Sequence, residues 1–210
     1  MGTPGPIVHI VDDDESFRHS TARLLRALGY TVETYGSGDD FLARLRRGPG
    51  CLVLDVRMPG PSGLELQQVL ATRGEGLPIV FLTGHGDIPM SVSAMRAGAE
   101  DFLTKPVPMA QLKDAIDRAL ARDAGSRASR ERMLSLRARY ETLTPAERRV
   151  FAMVVTGMLN KQIAYDLNRA ERTVKAHRSQ VMLKMQAESV ADLVRMADEL
   201  GISPDAPIPS

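Results

Sequence analysis

Four consecutive acidic residues stand near the start of the chain, where the apolar run IVHIV leads directly into Asp12, Asp13, Asp14 and Glu15. Neighbouring carboxylates repel one another and lower stability unless solvent or a cation compensates for their charge. Such a run is typical of a solvated turn with a helix cap, but carboxylate oxygens are also the ligands that a divalent cation prefers. Residues elsewhere in the chain must decide between these two interpretations.

Five short apolar runs define the elements that must position reactive side chains. The runs cover residues 7–11, 31–35, 51–54, 78–82 and 100–104. Each is followed by ten or more residues with apolar positions at helical spacing. This alternation predicts an α/β fold: a doubly wound sheet of five parallel strands with five helices on its two faces.

The ends of these predicted strands carry the residues that could do chemistry. The first run ends in Asp12 and Asp13, the third in Asp55, the fourth in Thr83 and the fifth in Lys105. Because the carboxyl ends of parallel strands form a common ligand crevice, we expect these side chains to converge. Acidic oxygens suit Mg²⁺ and a lysine attracts phosphoryl oxygens, so the crevice is predicted to hold a divalent cation and a phosphoryl group.

At these positions the sequence resembles the receiver domain of bacterial two-component response regulators. The match covers the acid pair, DVRMP at residues 55–59 with Gly63, Thr83-Gly84 and Lys105-Pro106, all in the family's order. The resemblance implies that Asp55 is the nucleophile that accepts a phosphoryl group. It also implies that Mg²⁺, with Mn²⁺ as an alternative, is bound by Asp12, Asp13, Asp55 and the backbone carbonyl of Arg57.

The resemblance assigns further roles. Thr83 and Lys105 engage the phosphoryl oxygens, and the Lys105-Pro106 bond is cis. The family's aromatic switch falls at Phe102, although an ordinary core phenylalanine is the alternative, and the phosphoryl lifetime depends on Arg57 and His85. Receivers of this family pair through the fourth helix and fifth strand. Here that face would include Ile88, Met90, Val92 and Met95, although in a plainer interpretation some of these residues belong to the core.

Charge is divided unevenly along the chain. Residues 1–124 contain 13 basic and 16 acidic side chains, whereas residues 127–184 contain 13 basic and 5 acidic ones. This asymmetry indicates two domains, the second facing a polyanion, although a helical surface rich in ion pairs would give the same count. Residues 123–142 are predicted to be a linker that extends the helix after Pro106, either continuously or with an interruption at Gly125-Ser126.

A capping box with proline at the first helical position, Thr144-Pro145-Ala146-Glu147, opens the second domain. Beyond it, four short helices are predicted at residues 145–156, 160–167, 171–185 and 189–200. The second and third are joined by a connection of helix-turn-helix length. On the third, Val174, Val181 and Met185 form a core stripe, and the opposite, basic-flanked face suits a DNA major groove, unless it is only the solvated face of an unrelated helical module.

This segment resembles the LuxR-type helix-turn-helix, and its union with a receiver is typical of NarL/FixJ-type regulators. The residues TGHGDIPMSV and VKAHRSQVMLKM indicate the FixJ-like branch. Asn168 and Gln186 depart from the family pattern, in which glycine is frequent at the first position and glycine or asparagine at the second. Asn tolerates the left-handed conformation better than most residues. The predicted DNA contacts are Asn160, Lys161, Arg172, Thr173, Lys175, Ala176, His177, Arg178, Ser179 and Lys184.

Composition excludes several classes of protein. Of the 210 residues, 43% are hydrophobic and 25% charged, as in ordinary globular proteins. The single cysteine, Cys51, excludes an internal disulfide and a multi-cysteine zinc site. No apolar run approaches the ~18 residues of a membrane span, and the N-terminus does not resemble a signal peptide. We therefore expect a cytoplasmic protein without a membrane partner.

The patterns lead to one functional hypothesis, with a receiver at 1–122, a linker at 123–142 and a DNA-binding domain at 143–203. A sensor histidine kinase phosphorylates Asp55, the receiver forms a homodimer, and the paired domains bind promoter DNA and activate transcription by RNA polymerase. The protein is not itself an enzyme, although it accepts the phosphoryl group. One alternative is a DNA-binding regulator whose receiver does not signal. Another is a haloacid-dehalogenase-like phosphatase with Asp12 as nucleophile, because residues 12–16 nearly match that signature.

Overall fold

The computed structural model describes residues 5–46, 48–84 and 88–202. The strands in these ranges are β1 (Ile7–Val11), β2 (Thr31–Tyr35), β3 (Gly50–Leu54), β4 (Ile79–Thr83) and β5 (Asp101–Thr104). The helices are α1 (Glu15–Ala27), α2 (Gly38–Arg44), α3 (Gly63–Thr72), α4 (Ile88–Arg96), α5 (Met109–Glu141), α6 (Pro145–Val155), α7 (Asn160–Asp166), α8 (Glu171–Met185) and α9 (Val190–Leu200). The chain divides into two compact units, Met1–Arg127 and Ala128–Ser210.

The first unit contains one parallel sheet with the strand order β2-β1-β3-β4-β5. Side chains alternate across the sheet, so that Val8 and Ile10 pack with α1 and α5, whereas Leu52 and Leu54 pack with α2, α3 and α4. Because both faces are covered, β3 and β4 are buried along their whole lengths. The predicted doubly wound five-stranded fold is confirmed.

Strand register brings the reactive positions to one edge of this sheet. Val11 lies opposite Leu54, so Asp12 and Asp55 leave two neighbouring strands side by side. The crevice predicted at the carboxyl ends of the strands therefore follows from the pairing of β1 with β3.

Helix α5 continues without interruption through Gly125 and Ser126, so the alternative of a break there is wrong. A buried carboxylate lies beside this point. Asp123 accepts a hydrogen bond of 2.9 Å from the backbone N–H of Gly50 and one of 2.7 Å from Arg127 Nε. The Arg127 guanidinium also donates to the carbonyl of Gly48. These bonds fasten α5 to the start of β3, which offsets the low helix propensity of Gly125.

The second unit has a separate helical core. Leu136, near the end of α5, packs in it with residues from α6, α7, α8 and α9, including Val150, Phe151, Ile163, Val174, Val181, Met185 and Leu193. The capping box at Thr144 and Glu147 and the three-residue core stripe of α8 are both present as predicted. The four helices begin and end within one residue of their predicted bounds.

Two residues other than glycine adopt a positive φ in the described part of the chain. Asn168, in the turn between α7 and α8, has φ 49°, and Gln186, at the end of α8, has φ 56°. These are the two positions at which the sequence departs from the residues frequent in the family, glycine at the first and glycine or asparagine at the second. Both positions therefore hold the left-handed conformation to which glycine is best suited.

Candidate metal centre and nucleic-acid interface

Three carboxylates meet at the carboxyl edge of the sheet. Asp12, Asp13 and Asp55 each offer one oxygen atom, and these atoms all lie within 4.8 Å of one another. Asp12 and Asp55 are buried, whereas Asp13 is exposed. The arrangement fits a divalent cation, because it supplies several hard oxygen ligands and leaves one side open to solvent.

Lys105 holds two of these carboxylates together. Its Nζ lies 2.5 Å from Asp12 Oδ2 and 3.2 Å from Asp55 Oδ2, and its side chain is 17% exposed. The pKa of Asp12 is nevertheless raised above its ordinary value, chiefly by burial and further by the charge of Asp55, although the hydrogen bond and charge of Lys105 act to lower it. The ionised form of Asp12 is thus disfavoured in the folded chain even beside Lys105, and a bound divalent cation would stabilise it.

The first turn of α1 supports the acidic loop. Asp14 is the N-cap and accepts a hydrogen bond of 3.0 Å from the backbone N–H of Phe17. Arg18 donates 2.6 Å to the backbone carbonyl of Asp12. Both interpretations of the acidic run therefore apply, each to one half of it. Asp14 caps α1 with Glu15 in its first turn, whereas Asp12 and Asp13 face the crevice. Sequence reasoning missed Phe17 and Arg18, although the helical spacing of α1 was a signal that could have placed them near the acids.

The loop after β3 is fixed by backbone contacts. Asp55 Oδ1 accepts a hydrogen bond of 2.6 Å from the backbone N–H of Val56. The backbone N–H of Gly63 donates a hydrogen bond of 2.9 Å to the carbonyl of Val56. A Cβ atom at Gly63 would lie 2.3 Å from the carbonyl oxygen of Asp55. Glycine is therefore required where α3 approaches the candidate phosphoacceptor.

Thr83 and Phe102 lie where the sequence placed them. Thr83 is buried at the end of β4, opposite Thr104 of β5, and Lys105 N donates 2.8 Å to its carbonyl. The Phe102 ring is half-buried and packs 5.9 Å from the ring of Phe81. The predicted cis bond between Lys105 and Pro106 is present. His85 lies outside the described residues.

On α8, the predicted DNA-contacting side chains are mostly accessible. Arg172, Thr173, Lys175, Ala176 and Ser179 are exposed, opposite the buried stripe. Exposure of basic and small side chains on one helix is what a major groove requires. On the same unit, Lys161 of α7 is also exposed and His177 of α8 is half-buried.

Three other predicted DNA contacts already bind protein groups. Arg178 donates 2.9 Å from its guanidinium to the side-chain oxygen of Asn160. Lys184 Nζ lies 2.6 Å from Glu147 Oε2 and 3.2 Å from the carbonyl of Thr142. Burial by itself raises the pKa of Glu147, but the hydrogen bonds from Lys184 and Thr144, together with the charge of Lys184, outweigh burial and leave that pKa lowered. Lys184 thus has a structural partner that the sequence did not reveal.

Helix α4 presents apolar side chains to solvent. Ile88 is 79% exposed, and Val92 and Met95 are 42% and 46% exposed. Met90 is half-buried and packs against the core between the sheet and α2, α3 and α4. Three of the four residues predicted for dimerisation therefore form an accessible surface, and the fourth contributes to the core.

Among the described residues, no helix combines the length and apolar character needed to cross a membrane. Even α5, with 33 residues, carries charged side chains throughout.

Known proteins match both units. The sequence-family model of the response regulator receiver domain matches residues 8–117. The family model of bacterial regulatory proteins of the luxR family matches residues 141–197. The chain is 48% identical over 198 residues to nodulation protein W of Bradyrhizobium diazoefficiens, covering 94% of this chain and 87% of that protein. It is 44% identical over 200 residues to the transcriptional regulatory protein FixJ of Rhizobium meliloti, covering 94% and 97% respectively.

A solved structure agrees with these sequence matches. The low-resolution structure of the response regulator StyR superposes with a TM-score of 0.86 at 46% identity, covering 93% of this chain and all (100%) of that one. Regulators of this type bind DNA and are not enzymes, so the phosphatase alternative is set aside. The chain therefore belongs to the two-component response regulators of the FixJ type, with a receiver domain and a LuxR-type DNA-binding domain.

Proposed function

We propose that Asp55 accepts a phosphoryl group from a histidine of a sensor kinase and that this modification controls how the second domain binds promoter DNA. The observation that carries the proposal is the convergence of Asp12, Asp55 and Lys105. These residues come from three strand ends, and Lys105 Nζ lies 2.5 Å and 3.2 Å from the two carboxylates.

The chemistry is an in-line displacement at phosphorus. An oxygen of Asp55 forms the new bond to phosphorus, while the bond from phosphorus to the histidine nitrogen breaks and its electron pair leaves with the imidazole. Asp12, Asp13, Asp55 and the carbonyl of Arg57 would hold Mg²⁺, or Mn²⁺, which when bound neutralises charge on the carboxylates and on the incoming oxygens. Lys105 and the Thr83 hydroxyl bind the phosphoryl oxygens of the product.

Phosphorylation adds roughly −1.5 to −2 charge beside Thr83 and Lys105. Thr83 moves towards the new oxygens, and Phe102 rotates into the space it leaves. This change biases an existing equilibrium between two states of the receiver. The exposed apolar side chains of α4 support homodimerisation as the outcome, since pairing would cover Ile88, Val92 and Met95.

Helix α8 is the proposed reading helix. Lys175 and Arg172 supply donors to guanine or to phosphates, and Ala176 can contact a thymine methyl group. Arg178 with Asn160, and Lys161, approach phosphates near the start of α7. We assign Lys184 to the support of α6 rather than to DNA, because its ammonium is bound to Glu147.

The proposed setting is the cytoplasm, where the dimer binds a two-fold promoter site and recruits or stabilises RNA polymerase to activate transcription. Paired domains on one duplex follow from the family's dimeric mode of recognition.

Incubation with acetyl phosphate and Mg²⁺ tests the proposal. We expect one hydroxylamine-sensitive acyl phosphate on Asp55. We also expect a shift to twice the mass in size-exclusion chromatography and tighter binding to promoter DNA. Asp55→Asn should abolish all three. Label on Asp12 instead of Asp55 would contradict the proposal, as would full transcriptional output from Asp55→Asn under inducing conditions.

A further inference from the structure

Phe17 of α1 contacts the lysine of the candidate metal centre. Its ring centroid lies 4.0 Å from Lys105 Nζ, and the same ammonium group contacts Asp12 and Asp55. The Lys105 side chain is 17% exposed, so the ring acts on an ammonium that water reaches only in part. Partial desolvation strengthens the attraction between a cation and an aromatic face.

We infer that Phe17 is a positioning residue for the phosphorylation of Asp55, because its ring face holds the Lys105 ammonium at the crevice through a cation–π contact. This inference rests on the proposed function, since it concerns Lys105 as the group that binds the phosphoryl oxygens.

A ring suits this task better than another charged partner would. Lys105 must keep its place while one of its acceptors, Asp55, becomes bonded to phosphorus and phosphoryl oxygens arrive. A further carboxylate would also hold Lys105, but it would repel the incoming phosphoryl group. The quadrupole of Phe17 attracts the ammonium without adding net charge.

Local structure fixes the ring in place. The backbone N–H of Phe17 donates 3.0 Å to Oδ1 of the N-cap residue Asp14, which holds the first turn of α1. The side chain packs against the buried cluster between the sheet, α1 and α5. One side of Phe17 is thus anchored in the core, and its face is presented to Lys105.

The test compares three variants of the full chain. Phe17→Leu keeps an apolar side chain against the core and removes the ring, whereas Phe17→Tyr keeps the ring. Tyr30→Leu is the matched control, because Tyr30 packs against the same cluster and its hydroxyl donates to Asp117. The rate of Asp55 phosphorylation by acetyl phosphate with Mg²⁺ is measured beside the thermal unfolding temperature.

We expect Phe17→Leu to be phosphorylated roughly three- to tenfold more slowly than wild type. Phe17→Tyr and Tyr30→Leu should retain rates close to wild type. In a Lys105→Met background, Phe17→Leu should cause no further loss, because the cation that the ring holds is gone.

A second readout does not depend on phosphorylation. In NMR spectra of the metal-free chain, the ε-methylene protons of Lys105 should be shifted upfield by the ring current in wild type and in Phe17→Tyr. The shift should be lost in Phe17→Leu. Phe17→Met replaces the leucine variant if the latter does not fold.

Equal phosphorylation rates in wild type and Phe17→Leu would overturn this inference alone. So would a Phe17→Leu substitution that slows phosphorylation by the same factor with Lys105 and with Met at that position. Failure of wild type itself to carry the phosphoryl group on Asp55 would instead overturn the proposed function, and the inference with it.

Discussion

The two candidate functional surfaces of this chain carry charge in opposite ways. In the receiver crevice, Asp12 and Asp55 are buried and share Lys105, whereas on α8 the side chains of Arg172 and Lys175 stand in solvent. A phosphoryl-transfer site needs partly desolvated groups whose charge is held in a fixed place. A DNA interface needs accessible charge that exchanges counterions for phosphates. Substitution of the buried crevice carboxylates should therefore affect stability, whereas substitution of the exposed basic residues of α8 should leave it almost unchanged.

The largest expected effect comes from Asp12→Asn. Loss of this proposed metal ligand should weaken Mg²⁺ binding by at least about tenfold. Because burial raises the pKa of Asp12 in the folded state, its ionised form destabilises the fold at neutral pH. The variant should therefore unfold at a higher temperature than wild type in metal-free buffer. This advantage should disappear at acidic pH, below both the folded and the unfolded pKa, where Asp12 is protonated in both states.

Asp13→Asn is the matched control, because Asp13 is an exposed member of the same carboxylate group. It should also weaken Mg²⁺ binding, measured by titration calorimetry, with little change in thermal stability. A lower unfolding temperature for Asp12→Asn in metal-free buffer would contradict the raised pKa assigned to the buried acid.

On the DNA side, Lys175→Ala should weaken promoter binding by about tenfold, since one good base contact contributes about 1–3 kcal/mol. If Lys175 contacts a phosphate instead, the slope of log K against log salt should fall by about 1 and the loss should be uniform across sequences. Stability should stay within about 0.5 kcal/mol of wild type. Arg195→Ala, exposed on α9, is the control, and an equal loss of DNA affinity there would contradict the assignment to α8.

Lys184 should behave like a residue of the crevice although it lies on α8. Lys184→Met leaves the buried Glu147 carboxylate without its cation, which should lower the free energy of unfolding by about 1–2 kcal/mol. Because the pKa of Glu147 is lowered in the folded state, this contribution is present at neutral pH and is lost as pH falls through that lowered value. Denaturant unfolding at several pH values measures it. Normal stability with weakened DNA binding in this variant would contradict the structural role and support a DNA contact by Lys184.

The smallest effect is expected at the end of α8. Gln186 holds a left-handed conformation with φ 56°. Gln186→Gly should raise the free energy of unfolding by about 0.5–1 kcal/mol, because glycine adopts this conformation without steric strain. Asn168→Gly, at φ 49°, should give a smaller gain, since asparagine tolerates the region. Thermal denaturation of both variants checks the order.

Much of the molecule could be predicted because its patterns are local. The alternation of apolar runs with helical spacing predicted the sheet. Four of the five runs are followed directly by a candidate site residue, namely Asp12, Asp55, Thr83 or Lys105. Helix starts were predicted for the same reason, since the Thr144 capping box involves residues only three positions apart.

The sequence by itself determined which residue types stand at the strand ends and on the faces of α8. Only the tertiary structure decided which of them have partners. Phe17 meets Lys105 across 88 positions of chain, Asp123 meets Gly50, and Lys184 meets Glu147. Such contacts depend on how elements pack, and packing also decides which polar groups lose water. For that reason the chemistry of the acids was readable from their spacing, whereas the raised pKa of Asp12 and the structural use of Lys184 were not.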